Sequence, residues 1–419
     1  MLDLTADSRA VSATSTGRPS ERPDQRWPRL TAATAHLPAP VAVIDTDALR
    51  YNTLDLLVRA AAVPIRVASK SVRVRAVLDA VLAMPGYQGI LAFTLAEALW
   101  LADDHDDIVM GYPTADRSAI ATLVSDERAA SRITLMVDDE AQLDLVDAVR
   151  PPGSRAEVRV AIDADASWRA PGPLGHIGVR RSPLHTPGDV AAFARRIAER
   201  DGFRLVGLMM YEAQIAGQPD APGYTEGTAD GIIRWMKRRS LAELTDRRRA
   251  IVDALREVAT LEFVNGGGTG SLETTAADEA VTELTAGSGL LAGQLFDGYG
   301  AFAPAPAAAF ALDVVRRPTA DIATVLGGGW IASGPALASR QPGVAWPTGL
   351  RMLAREGSGE VQTPLQGPHA RGLAVGDRVW FRHAKSGELA ERVNEYHLVA
   401  GDTVVGTLPT YRGEGKAFL

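Results

Sequence analysis

Lysine is scarce in this chain of 419 residues: positions 70, 237, 385 and 416 carry it, against forty arginines. A side chain that must lose its proton and attack a carbonyl has to be lysine in such a set, because a guanidinium stays charged. Lys70 closes the run Ile65-Arg-Val-Ala-Ser-Lys70, so a buried strand would deliver its amine at the strand's C-terminal end. A second feature is Gly266-Gly-Gly-Thr-Gly-Ser271. A third is Gly287-Ser-Gly-Leu290, which follows the strand-like Val281–Leu284. Glycines let backbone N–H groups close on a phosphate, and a helix N-terminus after the loop favours negative charge. One amine for a carbonyl and two loops for a phosphate together point to a phosphorylated aldehyde cofactor, pyridoxal 5′-phosphate.

Such groups have to be held by a scaffold. From residue 41 onward, short β-branched runs alternate with longer helical patterns, the mark of βαβ units around a parallel sheet. The predicted strands are Val41–Asp45, Ile65–Lys70, Ile90–Thr94, Ile108–Gly111, Ile133–Val137, Glu157–Asp163, Leu205–Tyr211 and Leu261–Val264. Eight strands, nearly all followed by a helix, match a (β/α)8 TIM-like barrel, whose chemistry sits at the C-terminal ends of the strands. An open doubly wound sheet is the alternative. After about residue 305 helical periodicity stops, and short strand-like pieces punctuated by Pro and Gly predict a smaller C-terminal β domain. The expected division is therefore a disordered tail over 1–26, a cofactor-binding α/β barrel over 27–305 and the β domain over 306–419. The stretch 217–239, with Tyr224, is expected to form a lid, a dimer contact or a solvated insertion.

Composition removes other classes. The chain has no cysteine, so disulfides, thiolate metal sites and cysteine nucleophiles are excluded. A net charge of −7 with scattered arginines offers no stripe for nucleic acid and no polybasic membrane patch. The first 26 residues lack the apolar core of a secretory signal, and no run approaches the roughly 18 apolar residues of a membrane span. A cytoplasmic enzyme of small organic substrates is expected.

The ordered set of Lys70, Tyr211-Glu212, the Gly266–Ser271 run, the Gly287-Ser288 turn and a C-terminal β domain resembles the fold-type III pyridoxal phosphate enzymes. The likeness spans roughly residues 40 to 415. Within them it is closest to the D-threonine aldolase and D-serine dehydratase branch. The resemblance implies that Lys70 forms the Schiff base, that Gly268, Thr269, Gly287 and Ser288 hold the phosphate, and that Tyr211 lies by the cofactor. It further implies a homodimer acting on D-3-hydroxy amino acids, by retro-aldol cleavage or by dehydration with deamination. An amino acid racemase and a non-catalytic carrier of the cofactor are the alternatives.

Two positions depart from the branch. Its members place an arginine against the pyridine nitrogen where this chain has His176, with Arg169 nearby as a second candidate for that role. They also bind a divalent metal through a histidine and an Asp or Cys two residues later. Here that pair reads His383 and Lys385, and a protonated ammonium cannot coordinate a cation. Either Glu388 supplies the missing ligand beside His383, or Lys385 replaces the metal as a fixed positive charge; the second is favoured. Asp163 and Asp165, also near a strand end, have the look of a metal pair, but capping the next segment or orienting Arg169 is favoured for them.

Overall fold

The computed structural model describes residues 2–5, 19, 21–221, 229–385 and 387–419. Tyr224, in the expected lid, and most of the expected tail lie outside them. In chain order the strands are β1 (Val41–Asp45), β2 (Ile65–Ala68), β3 (Tyr87–Ala92), β4 (Ile108–Met110), β5 (Ile133–Val137), β6 (Val158–Asp163), β7 (Trp168–Ala170), β8 (Gly175–Ile177), β9 (Phe203–Met210), β10 (Phe263–Gly266) and β11 (Glu283–Ala286). Then follow β12 (Ala308–Thr319), β13 (Ile322–Leu326), β14 (Gly343–Trp346), β15 (Arg351–Met352), β16 (Gln362–Gln366), β17 (Arg378–Arg382), β18 (Glu395–Ala400) and β19 (Thr403–Pro409).

The chain divides into two compact units: one of Met1–Asp55, Lys70–Ala83 and Gly287–Ala417, the other of Leu56–Ser69, Met84–Ala286 and Phe418–Leu419. The division differs from the expected boundary near 305, because the N-terminal segment joins the unit that holds the C-terminal sheet.

The second unit is the closed barrel, in the order β10-β11-β2-β3-β4-β5-β6-β9, with every neighbouring pair parallel. Leu91, Val109, Met136, Ala161, Met209 and Phe263 come from six different staves yet meet in one buried cluster, so they fill the lumen. Arg66 lies over the Phe263 ring and therefore points inward too. There its guanidinium meets Glu283, Nε to Oε1 at 2.8 Å and Nη2 to Oε2 at 2.8 Å, with both side chains 2% exposed. Asn265 donates to the same carboxylate.

The first unit is built on a nine-stranded sheet in which β1 sits between β12 (antiparallel) and β18 (parallel). This corrects the expectation that Val41–Asp45 opens the barrel. All five residues of β1 are buried, and such a run suits the centre of any sheet. The stave that closes the barrel instead is β11, which overlaps the strand-like Val281–Leu284, a segment outside the eight predicted strands. A helix, α1 (Pro23–Ala33), begins inside the expected tail and packs Trp27 against Trp380 of β17 at 5.8 Å between ring centroids.

Candidate active site

Four adjacent staves set the chemistry. In the barrel β9, β10, β11 and β2 are consecutive neighbours, and the residues that follow them in the chain are Tyr211, Gly267, Gly287 and Ser69-Lys70. The strand-end assignments thus survive the change of stave number: the amine follows the first stave, and the two glycine turns follow the seventh and eighth. That is the rim on which barrels of this type carry phosphate.

The glycine-rich loop is fixed by the barrel unit itself. Gly267 has φ +82°, a conformation that favours glycine. A Cβ on Gly268 would stand 3.0 Å from Ala216 Cβ and 3.1 Å from Tyr211 Cε2. The loop backbone is thus laid directly on the Tyr211 ring. Beneath it, Glu212 accepts the Gly267 N–H at 3.1 Å and the Ser271 hydroxyl at 3.0 Å, and also the Thr275 hydroxyl. A loop that favours glycine at 267 and leaves little room for a side chain at 268, turned so closely around an aromatic ring, fits the phosphate end of pyridoxal phosphate.

The rim carries further ionisable groups. Burial pushes the Tyr211 phenol up to about 12, helped by Glu212 and Tyr112 and opposed by Arg181. Burial also raises the Asp163 carboxyl to about 7, with Asp138 adding to it, Arg181 opposing and Asp165 adding. Ser182 lies between the two acids: its hydroxyl donates to the Asp163 carbonyl at 2.7 Å and favours the ionised form of Asp138. Asp138, Arg181 and Tyr112 were not legible as site residues, because no motif joins them. Asp165 has the plain role expected of it, accepting the Ser167 N–H and hydroxyl, with Arg169 at 3.8 Å and His185 at 3.3 Å.

Arg169 and His176 are cross-strand partners on the β7–β8 hairpin. They line a depression of about 600 Å³ with Asp165, Arg180, Arg181 and Ser182. His176 Nε2 pairs with the Val179 carbonyl at 2.9 Å, so one ring nitrogen is already taken by backbone.

In the other unit, Lys70 and the turn after β17 come together. A Cβ on Gly387 would run into the Lys70 carbonyl oxygen, which also accepts the Arg73 Nε–H at 3.0 Å. His383 is buried. Burial, with Arg382 adding to it, holds this imidazole below its usual range against the pull of Glu388 and the Ala308 backbone. Glu388 accepts the Lys385 backbone N–H at 2.7 Å, while the Lys385 ammonium reaches the Ser333 hydroxyl at 3.3 Å. Among the described residues no three His, Cys, Asp or Glu side chains gather in one cluster. Glu388, the carboxylate that would have to join His383 on a cation, is already engaged by the Lys385 backbone N–H.

A closed parallel barrel in one chain with a large mixed sheet, with an amine and glycine turns after neighbouring staves, defines the fold-type III class of pyridoxal phosphate proteins. The profile described as "Alanine racemase, N-terminal domain" matches residues 44–260, and the chain belongs to that family. No curated protein matches it in sequence. Among solved structures it is similar to D-threonine aldolase from Filomicrobium marinum, at 19% identity and TM-score 0.72, covering 90% of this chain and 96% of that one. D-threo-3-hydroxyaspartate dehydratase from Delftia sp. HT23 is similar at 22% identity and TM-score 0.67, covering 89% and 97%. Alanine racemase of Clostridium difficile 630, in complex with cycloserine, follows at 13% and 0.57, covering 88% and 98%. At these identities the likeness is one of fold. No helix among the described residues is long and apolar enough to cross a membrane.

Proposed function

We propose that this protein is a pyridoxal phosphate-dependent lyase of D-3-hydroxy amino acids, working by retro-aldol cleavage or by dehydration with deamination. The observation that carries the reading is the order β10-β11-β2 in the barrel, which makes the strands before the two glycine turns and before Lys70 consecutive. Likeness in fold to an aldolase and a dehydratase over about nine-tenths of the chain supports it.

Bound pyridoxal phosphate supplies an electron sink for the pair left on Cα when one of its bonds breaks. Lys70 would anchor the cofactor and, as a free amine, would move the proton at Cα. The Gly268-Thr269 and Gly287-Ser288 backbones would take the phosphate, and Tyr211 would pack beside the ring. Arg169 and His176 serve the pyridine nitrogen, where an arginine only donates and a histidine can also accept. At the hydroxyl end, His383 takes the proton and Lys385 provides the fixed positive charge that favours an ionised oxygen. Glu388 orients the Lys385 turn. A homodimer in the cytoplasm completes the proposal.

The test is direct. Purified protein loaded with cofactor is reduced with borohydride and mapped by mass spectrometry; the label is expected on Lys70, and a Lys70→Ala variant that still trapped cofactor would remove the assignment. Incubation with D-threonine and D-serine then separates the routes, since glycine plus aldehyde marks cleavage and a keto acid plus ammonia marks dehydration. Loss of optical activity alone would replace the lyase with a racemase.

A further inference from the structure

The glycine loop is held by a buried ionic assembly that the proposed chemistry does not itself use. Glu212 and Arg248 are each 1% exposed at their side chains, with Nη2 and Oε2 3.3 Å apart. The same guanidinium donates to Asp278 at 2.5 Å and to the Met210 carbonyl at 3.2 Å. Arg248 comes from the helix Ala229–Arg256, and Asp278 follows the helix Leu272–Ala276. Two acids and one base have thus been carried out of water, at a cost that hydrophobic residues of similar volume would avoid. What the arrangement delivers is one carboxylate whose two oxygens take three donors from the loop and the helix after it: Gly267 N–H, Ser271 hydroxyl and Thr275 hydroxyl.

A second clamp works from the other side. Arg59 Nη2 donates to the Thr269 carbonyl at 2.5 Å and to Glu273 at 3.0 Å. The peptide between Thr269 and Gly270 is trans, so turning its carbonyl to Arg59 directs the Gly270 N–H the opposite way. The loop therefore has its Gly267 N–H drawn inward by Glu212, its Gly268 N–H on the Ser271 hydroxyl and its Thr269 carbonyl drawn away by Arg59, so its path is set by the barrel unit's own side chains.

We infer that Glu212, backed by Arg248 and Asp278, is a positioning residue: it sets the Gly267–Ser271 loop in advance for a phosphate monoester dianion, touching neither substrate nor phosphate. The inference rests on the pyridoxal phosphate reading and goes beyond it, because it predicts where the selectivity for the phosphorylated form comes from. In Glu212→Gln one end of the side chain becomes an amide donor facing a donor, and Arg248 loses one of its two acids.

The experiment compares binding of pyridoxal 5′-phosphate and of unphosphorylated pyridoxal to wild type and Glu212→Gln, by absorbance titration of the apoprotein. The expected result is a loss of about tenfold in affinity for the phosphate form, the equivalent of one good hydrogen bond, with pyridoxal changed by less than about twofold. Thr275→Val removes one of the three donors without touching a charge or the loop itself, and should reproduce the selective loss in smaller measure if Glu212→Gln does not fold. Equal losses for both ligands, or no loss for either, would overturn the positioning role. If wild type itself prefers neither form, the cofactor reading falls instead.

Discussion

The carbonyl oxygen of Lys70 occupies the space that a Cβ on Gly387 would need. That approach ties the backbone of the proposed Schiff-base lysine to the turn bearing His383 and Lys385. A methyl group at 387 must push one of the two aside. Misplacement by about an ångström can cost on the order of 100-fold in rate even when every reacting group is kept. Gly387→Ala is therefore expected to lower turnover on a D-3-hydroxy amino acid by about that factor, with cofactor affinity changed by less than about threefold. Initial rates beside an absorbance titration check it, and unchanged turnover would show that the turn yields freely.

The strands before Lys70 and the glycine turns were legible because a strand end, a rare amine and glycine are local signals. The stave count was not. Val41–Asp45 reads like any buried parallel strand, yet its partners are Ala308–Ala311 and His397–Val399, more than 250 residues away. Conversely the strand-like Val281–Leu284 overlaps the stave Glu283–Ala286 but is not among the eight predicted strands, and its buried acid is matched to Arg66, which lies 217 residues earlier. Glu212 stood in view within the Tyr211-Glu212 pair. Its function depends on Arg248, which a sequence offers as one arginine among forty.

The Arg66–Glu283 pair sets a stability prediction. Both charges are 2% exposed and joined by two hydrogen bonds, so removing Glu283 leaves the buried Arg66 with only the half-exposed Asp107 as an acid partner. Glu283→Ala should cost about 3–5 kcal/mol of unfolding free energy, whereas Arg66→Met with Glu283→Leu should recover most of it. Urea unfolding of the three proteins decides this. A single variant as stable as wild type would mean that water reaches the pair.

Asp163 predicts a pH dependence. Its carboxyl is raised by burial to about 7, well above an unfolded aspartate near 3.9. Between those values the folded chain holds a proton that the unfolded chain has lost. Stability from this group is thus present at low pH and declines as pH rises through 7. The side chain keeps partial solvent contact, which reduces the effect to about 2 kcal/mol. Asp163→Asn should gain stability over wild type as pH goes from 5 to 8, and a difference that stays flat in urea titrations would show that the carboxyl titrates normally.

Lys385 carries the last prediction. Its ammonium is held at the Ser333 hydroxyl, while Glu388, the acid nearest in sequence, takes the Lys385 backbone N–H. A lysine anchored in this way offers positive charge to an oxygen without requiring a cation, and electrostatic contacts to a developing oxyanion contribute roughly 100-fold or more to rate. Treatment with a strong chelator is accordingly expected to change turnover by less than about twofold, while Lys385→Met lowers it by about 100-fold at unchanged cofactor affinity. Both are read from initial rates on D-threonine and D-serine. If wild type is inactive until Mn²⁺ or Zn²⁺ is added, the oxygen is served by a metal and Lys385 has a different task. If Lys385→Met keeps full turnover with or without chelator, the charge at this position is dispensable and His383 alone must manage the hydroxyl proton.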